Sequence, residues 1–275
     1  MRYNWYNGCV SRVRRALAAV ALGLFLLPVE PAGAYEPLAY PGSLWGYGYR
    51  EFNGLEGTAI QGHLTQGVDW AKLPYGLTFN TFGLYNWRFR TLNQDYFNAH
   101  GPALGAVLRR GSIEAGVDYN WQEYPLLHQP SQALEFFADW YKDWELDKVL
   151  GQASWRGRVI KGLPLTTWGR VSVLGYERND VEGTGTMGWV KQGVRWLKLP
   201  YQAGLVTFAS YNWRLRSLNR PYYNTHGPSV GVEVSQRYAS LGLQYDWRSF
   251  PELHQDTRSL QLYLIWYLDW DLKKR

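Results

Sequence analysis

The sequence predicts an all-β fold: an antiparallel, up-and-down transmembrane β-barrel of about 12 strands, built from two tandem six-stranded repeats. Three observations predict it. The chain repeats itself at a spacing of 126 residues, polar and apolar residues alternate over stretches of 10–13 residues, and Phe, Trp and Tyr make up 17% of the chain. Aromatic residues at this density are typical of a membrane–water boundary or of a sugar-binding surface.

The repeat covers most of the chain. Residues 57–148 align with 183–274 without a gap, and 40 of the 92 aligned positions are identical. The stretch YNWRFRTLNQDYFNAHGP at 85–102 returns as YNWRLRSLNRPYYNTHGP at 211–228. Two copies of so long a unit are too few for a solenoid, so we expect one barrel made of two halves. The predicted boundaries are 35–150 for the first half, 151–166 for a linker or extra strand, and 167–275 for the second half.

The N-terminus has the features of a secretory signal peptide. Three arginines precede an apolar run of 12 residues at 16–27, and small residues at 32–34 provide a cleavage site. We therefore expect residues 1–34 to be removed before Tyr35. The alternative is an uncleaved anchor, which needs nearer to about 20 apolar residues. The one cysteine, Cys9, lies in this segment, so the exported chain is expected to have no disulfide.

Alternation locates the strands. Between 113 and 122, the odd positions are apolar and the even positions are polar or glycine. A period of two over this length indicates a strand with one apolar and one polar face, and a tilted strand needs about 9–11 residues to cross a bilayer. The predicted strands lie near 44–51, 59–70, 77–90, 102–110, 113–123, 133–146, 167–177, 185–196, 203–216, 228–236, 239–249 and 259–272.

With these features the chain resembles the bacterial outer-membrane β-barrel class over about residues 44–272, although it matches no closer family. The resemblance implies short periplasmic turns, long outer loops and a location in the outer membrane of a Gram-negative bacterium. It also implies outer-membrane lipid and the outer-membrane assembly machinery as partners. One departure is the C-terminus, where Trp270-Asp271-Leu272 is followed by three basic residues instead of ending in a terminal aromatic.

Connection lengths give the predicted barrel its orientation. The turns after strands two and four are short, whereas the connections after strands three and five, TLNQDYFNAHG and EYPLLHQPSQ, are long. Outward-facing aromatic residues then fall near both ends of the strands, and we interpret them as membrane girdles. The predicted girdle residues are Trp70, Tyr85, Trp87, Tyr119, Trp121, Trp144, Trp196, Tyr211, Trp213, Tyr245, Trp247 and Trp270.

The inward faces carry charges of both signs. The candidate lumen residues are Arg88, Arg90, Asp118, Glu135, Arg214, Arg216, Asp246 and Arg248. The planar fork of arginine suits carboxylate and phosphate, so one interpretation is a path for anionic or sugar-like solutes in which the four repeated arginines converge. The alternative is that arginines and carboxylates neutralise one another and fill the lumen.

Four repeated histidines are candidates for a role in the loops. His100 and His226 lie in N-x-H-G-P, and His128 and His254 lie in P-x-L-H-Q. Catalysis would need a nucleophile, but the serines beside them are not repeated, and no close histidine or cysteine spacing indicates a metal. We therefore favour loop packing, and the sequence predicts no catalytic site, metal site or cofactor.

The favoured function is a channel or export port for small polar or anionic solutes, with saccharides among the candidates. The alternatives are an outer-membrane enzyme acting on lipid or glycan, a receptor or structural barrel with a closed lumen, and a soluble sugar-binding domain. After removal of the signal peptide, 25 basic and 22 acidic residues remain. The two counts nearly balance, and the predicted barrel contains no block of basic residues. Nucleic acid is therefore not expected as a partner.

Overall fold

The structure is a computed structural model, and it describes residues 37–93, 95–145, 166–199, 201 and 203–272. The predicted signal peptide and residues 151–165 of the predicted linker or extra strand lie outside these residues. Within the described part of the chain, no helix is long and apolar enough to cross a bilayer.

Twelve antiparallel strands close into one barrel, in which each strand pairs with its neighbours along the chain and the first pairs with the last. The predicted fold class is therefore confirmed. The strands are β1 (Pro41–Phe52), β2 (Thr58–Leu73), β3 (Leu77–Arg90), β4 (Ala99–Arg110), β5 (Ile113–Tyr124), β6 (Gln129–Trp144), β7 (Thr166–Arg178), β8 (Thr184–Lys198), β9 (Gly204–Arg216), β10 (Thr225–Ser235), β11 (Ala239–Phe250) and β12 (Gln255–Asp271).

We predicted a long connection between strands five and six, and this prediction is wrong. Strand β6 begins at Gln129, which pairs with Tyr124, so the connection is a turn of only four residues, 125–128. The same holds in the second half, where Gln255 pairs with Phe250. These added strand residues are mostly polar on both faces. Alternation detects only the part of a strand that has one apolar face, and it therefore misses an extension of this kind.

The register places apolar side chains outside and polar side chains inside. On the outer wall, Leu104 and Leu241 are exposed, whereas the inward-facing Asn80 and Gln261 are completely buried. Outward tryptophans also cover glycines on the neighbouring strand, and a Cβ atom on Gly62 would lie 2.6 Å from the indole of Trp87. The absence of a side chain at that glycine makes room for the large ring.

Two bulges recur at matching places in the halves. The pairing of β2 with β3 shifts at Trp70, and the pairing of β8 with β9 shifts at Trp196. Each indole nitrogen donates a hydrogen bond to a threonine hydroxyl on the next strand, at 2.8 Å to Thr81 and 2.7 Å to Thr207. A bulge adds one unpaired residue and increases the local twist. Both predicted girdle tryptophans thus occupy bulge positions.

A positive charge on the outer wall is expected to cost most near the middle of a strand. Val117 lies near the centre of β5 and faces outward, whereas Trp121 lies nearer its end. Val117→Arg is expected to lower the free energy of unfolding by about 2–4 kcal/mol, and Trp121→Arg by about 0–1 kcal/mol from the charge. Urea unfolding in lipid vesicles measures both values, and Leu243→Arg provides the matching change in the second half. Equal losses at Val117 and Trp121 would contradict a lipid-facing wall.

Candidate functional site

The half of the lumen nearest the β3–β4 and β9–β10 connections contains a dense group of charged side chains, here called the lumen cluster. Its members come from both halves of the barrel and from two connections between strands. They are Arg88, Arg90, Arg178, Arg214, Arg216 and Arg248, with Glu51, Glu56, Asp118, Glu135, Asp180, Glu182 and Asp246.

Strand periodicity brings the repeated arginines together. Arg88 and Arg90 are two residues apart on β3, so both point into the lumen, and Arg214 and Arg216 do the same on β9. The connection after each strand then fixes the guanidinium groups. Arg88 Nε donates to the carbonyl of Phe97 at 2.8 Å, and Arg214 Nε makes the matching bond at 2.8 Å in the second half.

Two repeated asparagines fix the same connections to the strands. Asn98 Oδ1 accepts a hydrogen bond from the backbone N–H of Arg90 at 2.8 Å, and its amide donates to the Arg90 carbonyl at 3.2 Å. Asn224 makes the same two bonds to Arg216. The conformation of each connection is therefore tied to the backbone that carries an arginine.

Two other connections bend into the barrel and bring carboxylates to the arginines. The β1–β2 connection (53–57) carries Glu56, and the β7–β8 connection (179–183) carries Glu182. Their exposed fractions are only 1% and 2%, so both carboxylates are removed from water. The glycine after each one has a φ near +70°, a conformation that favours glycine and turns the chain back into the next strand.

Glu56 is bound from several sides. It accepts hydrogen bonds from Arg90 at 3.1 Å, from Arg248 at 2.7 Å and from the hydroxyl of Tyr49 at 2.7 Å. It also accepts a hydrogen bond from Arg214. A buried carboxylate needs this number of donors, because a charge without partners in the barrel interior would be strongly unfavourable.

Glu182 has an equivalent environment. It pairs with Arg88, accepts a hydrogen bond from Tyr124 at 3.1 Å, and lies 3.9 Å from Arg216. Burial raises the pKa of its carboxyl, but Arg88, Arg178 and Arg216 together outweigh burial and hold the pKa well below the ordinary value of 4.5. Glu182 is therefore ionised at neutral pH.

The two glutamates connect the halves of the barrel. Arg88 of the first half binds Glu182 of the second, and Arg214 of the second half binds Glu56 of the first. These are the same pair made twice, because the members of each type are 126 residues apart. The contacts therefore cross the lumen and join its opposite sides.

Other members of the lumen cluster differ between the halves, but they also form ion pairs. Glu51 lies opposite Gln261 across the β1–β12 ladder, whereas the matching ladder of β6 and β7 puts Arg178 opposite Glu135. Arg178 bonds Glu135 at 3.2 Å, and Glu51 lies 3.4 Å from Arg248. The position of Glu51 in the first half is thus that of Arg178 in the second, yet each of these two charges has a partner of opposite sign.

All eight predicted lumen residues lie in the lumen cluster, and the four repeated arginines converge there. Sequence reasoning missed Glu56 and Glu182 because their connections are outside the alternating strands. One signal was present: the tripeptide Glu-Gly-Thr occurs at 56–58 and at 182–184, so each glutamate lies one residue before the aligned repeat.

The cluster is not the only charged contact in the lumen. Farther towards the short turns, Lys191 bonds Glu233 at 2.8 Å, and the hydroxyl of Tyr263 donates to the same carboxylate at 2.6 Å. The ammonium group of Lys191 also lies 3.7 Å from the ring centre of Phe208. A second, smaller group of polar and aromatic side chains therefore narrows the lumen beyond the lumen cluster.

Two of the four histidines are not in loops as expected. His100 and His226 lie in β4 and β10, where Nδ1 of each ring is 2.8–2.9 Å from the hydroxyl of Tyr85 or Tyr211 on the outer wall. The following glycine explains the N-x-H-G-P motif, because a Cβ atom on Gly101 would lie 1.8 Å from the carbonyl oxygen of Trp121.

The other two histidines do lie in turns. His128 and His254 are in the β5–β6 and β11–β12 turns, with φ near +50°, and the side chain of His128 is exposed. The described residues contain no group of His, Cys, Asp and Glu side chains arranged to hold a metal ion.

The predicted girdle residues lie on the outer wall. Tyr119 and Trp121 form an edge-to-face pair with ring centres 4.7 Å apart, and Tyr245 and Trp247 form the same pair in the second half. The remaining members follow from the register and from their contacts with outward-facing neighbours: Trp70, Tyr85, Trp87, Trp144, Trp196, Tyr211, Trp213 and Trp270.

Comparison with known proteins finds likeness in structure alone. No protein-family model matches the chain, and no curated protein matches it. Among solved structures, an outer membrane channel from Pseudomonas putida F1 is 10% identical, with a TM-score of 0.37 and coverage of 88% of this chain and 100% of that one. The β-domain of the Bordetella autotransporter BrkA is 11% identical, with a TM-score of 0.34 and coverage of 83% and 98%.

The NanC porin is a third such structure, at 7% identity and a TM-score of 0.33, with coverage of 82% of this chain and 100% of that one. Similarity at these identities and TM-scores does not indicate a function. The class instead follows from the closed wall of 12 antiparallel strands, with its apolar outer face and polar lumen. The chain resembles the bacterial outer-membrane β-barrels as a class, and no closer family is matched.

Proposed function

We propose that the protein is an outer-membrane channel for small anionic solutes and that the lumen cluster is its constriction, closed here by Glu56 and Glu182. One observation carries the proposal: the carboxylates that neutralise the repeated arginines come from connections between strands rather than from the wall. A connection can move without breaking the ladder of hydrogen bonds that holds the barrel closed.

Charge supports an anionic solute. With both connections in the lumen, the cluster has six arginines and seven carboxylates. Asp180, Glu182 and Glu56 lie on the connections, so their departure leaves six arginines and four carboxylates, a net charge of +2. A positive constriction attracts anions and repels cations, and arginine forks bind carboxylate and phosphate in particular.

A closed structural barrel is the second candidate. The observation that favours it is the nearly complete burial of Glu56 and Glu182, because a fully paired cluster fills the lumen without any need for transport. The two candidates differ in whether the connections leave the lumen under any condition.

Conductance distinguishes these candidates. The protein is first checked for fractionation with outer membrane and for folded migration in cold SDS, and is then reconstituted in planar bilayers under a KCl gradient. Current steps with a reversal potential on the anion-selective side support the channel. Silence at every voltage and pH, with a folded barrel, favours the structural candidate, and cation-selective current contradicts the arginine constriction.

Acidification is expected to loosen the closed state. The pKa of Glu182 is lower in the folded protein than its ordinary value of 4.5, so its stabilising effect is complete above pH 4.5 and is lost as pH falls towards the folded pKa. Anion conductance should therefore rise, and the thermal midpoint should fall, only below about pH 4.5. Glu182→Gln should remove the part of this pH dependence that comes from the Glu182 carboxyl. A conductance that rises with increasing pH would contradict the assignment.

A further inference from the structure

A cavity of about 160 Å³ with several polar side chains in its lining lies inside the lumen, next to the lumen cluster, between β1–β2 on one side and β9–β11 on the other. Glu56 forms part of its lining. The cavity has room for several water molecules or for one small solute. Its lining includes the polar side chains of Tyr47, Gln61, Asn212, Arg214, Gln244 and Arg248.

The lining comes from both halves of the barrel, and it is not repeated at the symmetry-related place between β7–β8 and β3–β5. Where this cavity has Gln61 and Arg248, the positions 126 residues away in the repeat hold Met187 and Gln122. Tyr47 lies opposite Gln61 on the neighbouring strand, and the residue opposite Met187 is Leu174. The symmetry-related place therefore has apolar or neutral side chains where this cavity has Gln61, Tyr47 and Arg248.

One buried hydroxyl in the lining has no partner. Thr225 is 6% exposed and lines the cavity, and its Oγ1 makes no hydrogen bond within the described residues. Its counterpart in the first half is Ala99, which needs no partner. A buried hydroxyl without a partner is unfavourable unless water or a ligand supplies one, so this atom indicates that a polar molecule occupies the cavity.

We propose that this cavity binds a small hydroxylated carboxylate, of the chemical class of an acidic monosaccharide. Arg214 and Arg248 both contact Glu56, so a solute carboxylate that takes the position of the Glu56 side chain would meet the same two guanidinium groups. The Tyr47 hydroxyl and the amide nitrogens of Asn212 and Gln244 already donate to other barrel residues, so their oxygen atoms remain to accept hydrogen bonds from the hydroxyl groups of the solute. Gln61 and the unpaired Thr225 hydroxyl complete the polar lining. The inference rests on the proposed channel function, and it names the solute class.

Binding would also act on the closed state. Glu56 makes ion pairs with three arginines, and it lies on a connection rather than on a strand. A solute carboxylate that replaces it satisfies Arg214 and Arg248, while Arg90 keeps its hydrogen bonds to the carbonyl of Asn93. The β1–β2 connection can then leave the lumen at a smaller electrostatic cost. The solute thereby favours the open arrangement through its differential contacts with the two states.

Calorimetry on the folded, detergent-solubilised protein tests the inference, with glucuronate as the probe and glucose and acetate as comparisons. Glucuronate is expected to bind at least about tenfold more tightly than either, because only it carries both the carboxylate and the hydroxyl groups. Gln61→Met keeps the side-chain size, removes the amide and should weaken binding by about 3–10-fold. Met187→Gln is the control at the symmetry-related position, outside the lining of the cavity, and should leave binding unchanged.

Arg248→Gln should weaken glucuronate binding by at least about tenfold, since it removes a charge-assisted donor. If the Arg248→Gln protein does not fold, Gln61→Met alone tests the site. Equal affinity for glucuronate and glucose, or equal effects of Gln61→Met and Met187→Gln, would overturn the inference. Anion conductance without glucuronate binding would overturn it and leave the channel standing. Selective binding without conductance would support the site and contradict the channel.

Discussion

A barrel that carries both Glu56→Gln and Glu182→Gln is expected to conduct anions at neutral pH without a trigger. Glutamine keeps the size of each side chain but removes the charge that the arginines bind, so the lumen cluster changes from a net charge of −1 to +1. The connections lose their electrostatic attachment, and any pore that results is positive. Anion preference should be strongest at low salt, because the Debye length shrinks from about 10 Å at 0.1 M to about 3 Å at 1 M.

The same variant should be less stable. Removing one partner of a buried ion pair costs about 3–5 kcal/mol, because the remaining charge is left without compensation. The thermal midpoint and the reversal potential in a KCl gradient measure the two effects. Glu123→Gln is a suitable control, since its carboxylate is exposed and outside the lumen cluster. A double variant that is silent and as stable as the parent would contradict the role given to both glutamates.

Replacing Arg88, Arg90, Arg214 and Arg216 together by glutamine is expected to have the opposite electrical effect and a larger structural one. Two arginines then face seven carboxylates, so the lumen becomes negative and any conductance should prefer cations. Glu56 then keeps Arg248 and Tyr49 but loses both repeated arginines. Glu182 loses Arg88, while both carboxylates are still buried. We therefore expect poor assembly or a much lower thermal midpoint, measured by the loss of folded migration in cold SDS.

The matching control keeps charge and changes geometry. Lysine at the same four positions preserves the positive charge but lacks the planar fork that binds a carboxylate through two bonds. This variant should retain anion preference while it loses part of the stability. If the glutamine variant showed unchanged selectivity together with unchanged stability, neither the constriction nor the ion-pair closure would hold.

The wall of the barrel was predictable from sequence because it obeys a simple period. On β3, alternation alone directs Arg88 and Arg90 inward and Trp87 outward, and the structure has this arrangement. The early start of β6 at Gln129 was missed because its first residues carry no apolar face.

The closure of the lumen could not be predicted in the same way. A glutamate after a strand points into a barrel or out to solvent according to the turn that carries it, and the turn has no period. Glu56 and Glu182 were recognisable only as a repeated Glu-Gly-Thr, and nothing in that tripeptide states which arginine each would bind. The histidine in N-x-H-G-P was misassigned to a loop for a related reason: Gly101 permits a close backbone approach inside a strand, which sequence alone presents as a turn.

The exchange of glutamates across the lumen has a consequence for how the chain folds. Within the lumen cluster, the first half contributes Arg88 and Arg90 against four carboxylates, a net charge of −2. The second half contributes four arginines against three carboxylates, a net charge of +1. A half-barrel inserted by itself thus carries buried charges whose partners lie in the other half, and the opposite signs attract the two halves to each other, leaving a net charge of −1. The pairing of β1 with β12 and the pairing of charges across the lumen therefore occur together. Because unpaired buried charges are unfavourable, we expect intermediates with only six strands in place to be short-lived.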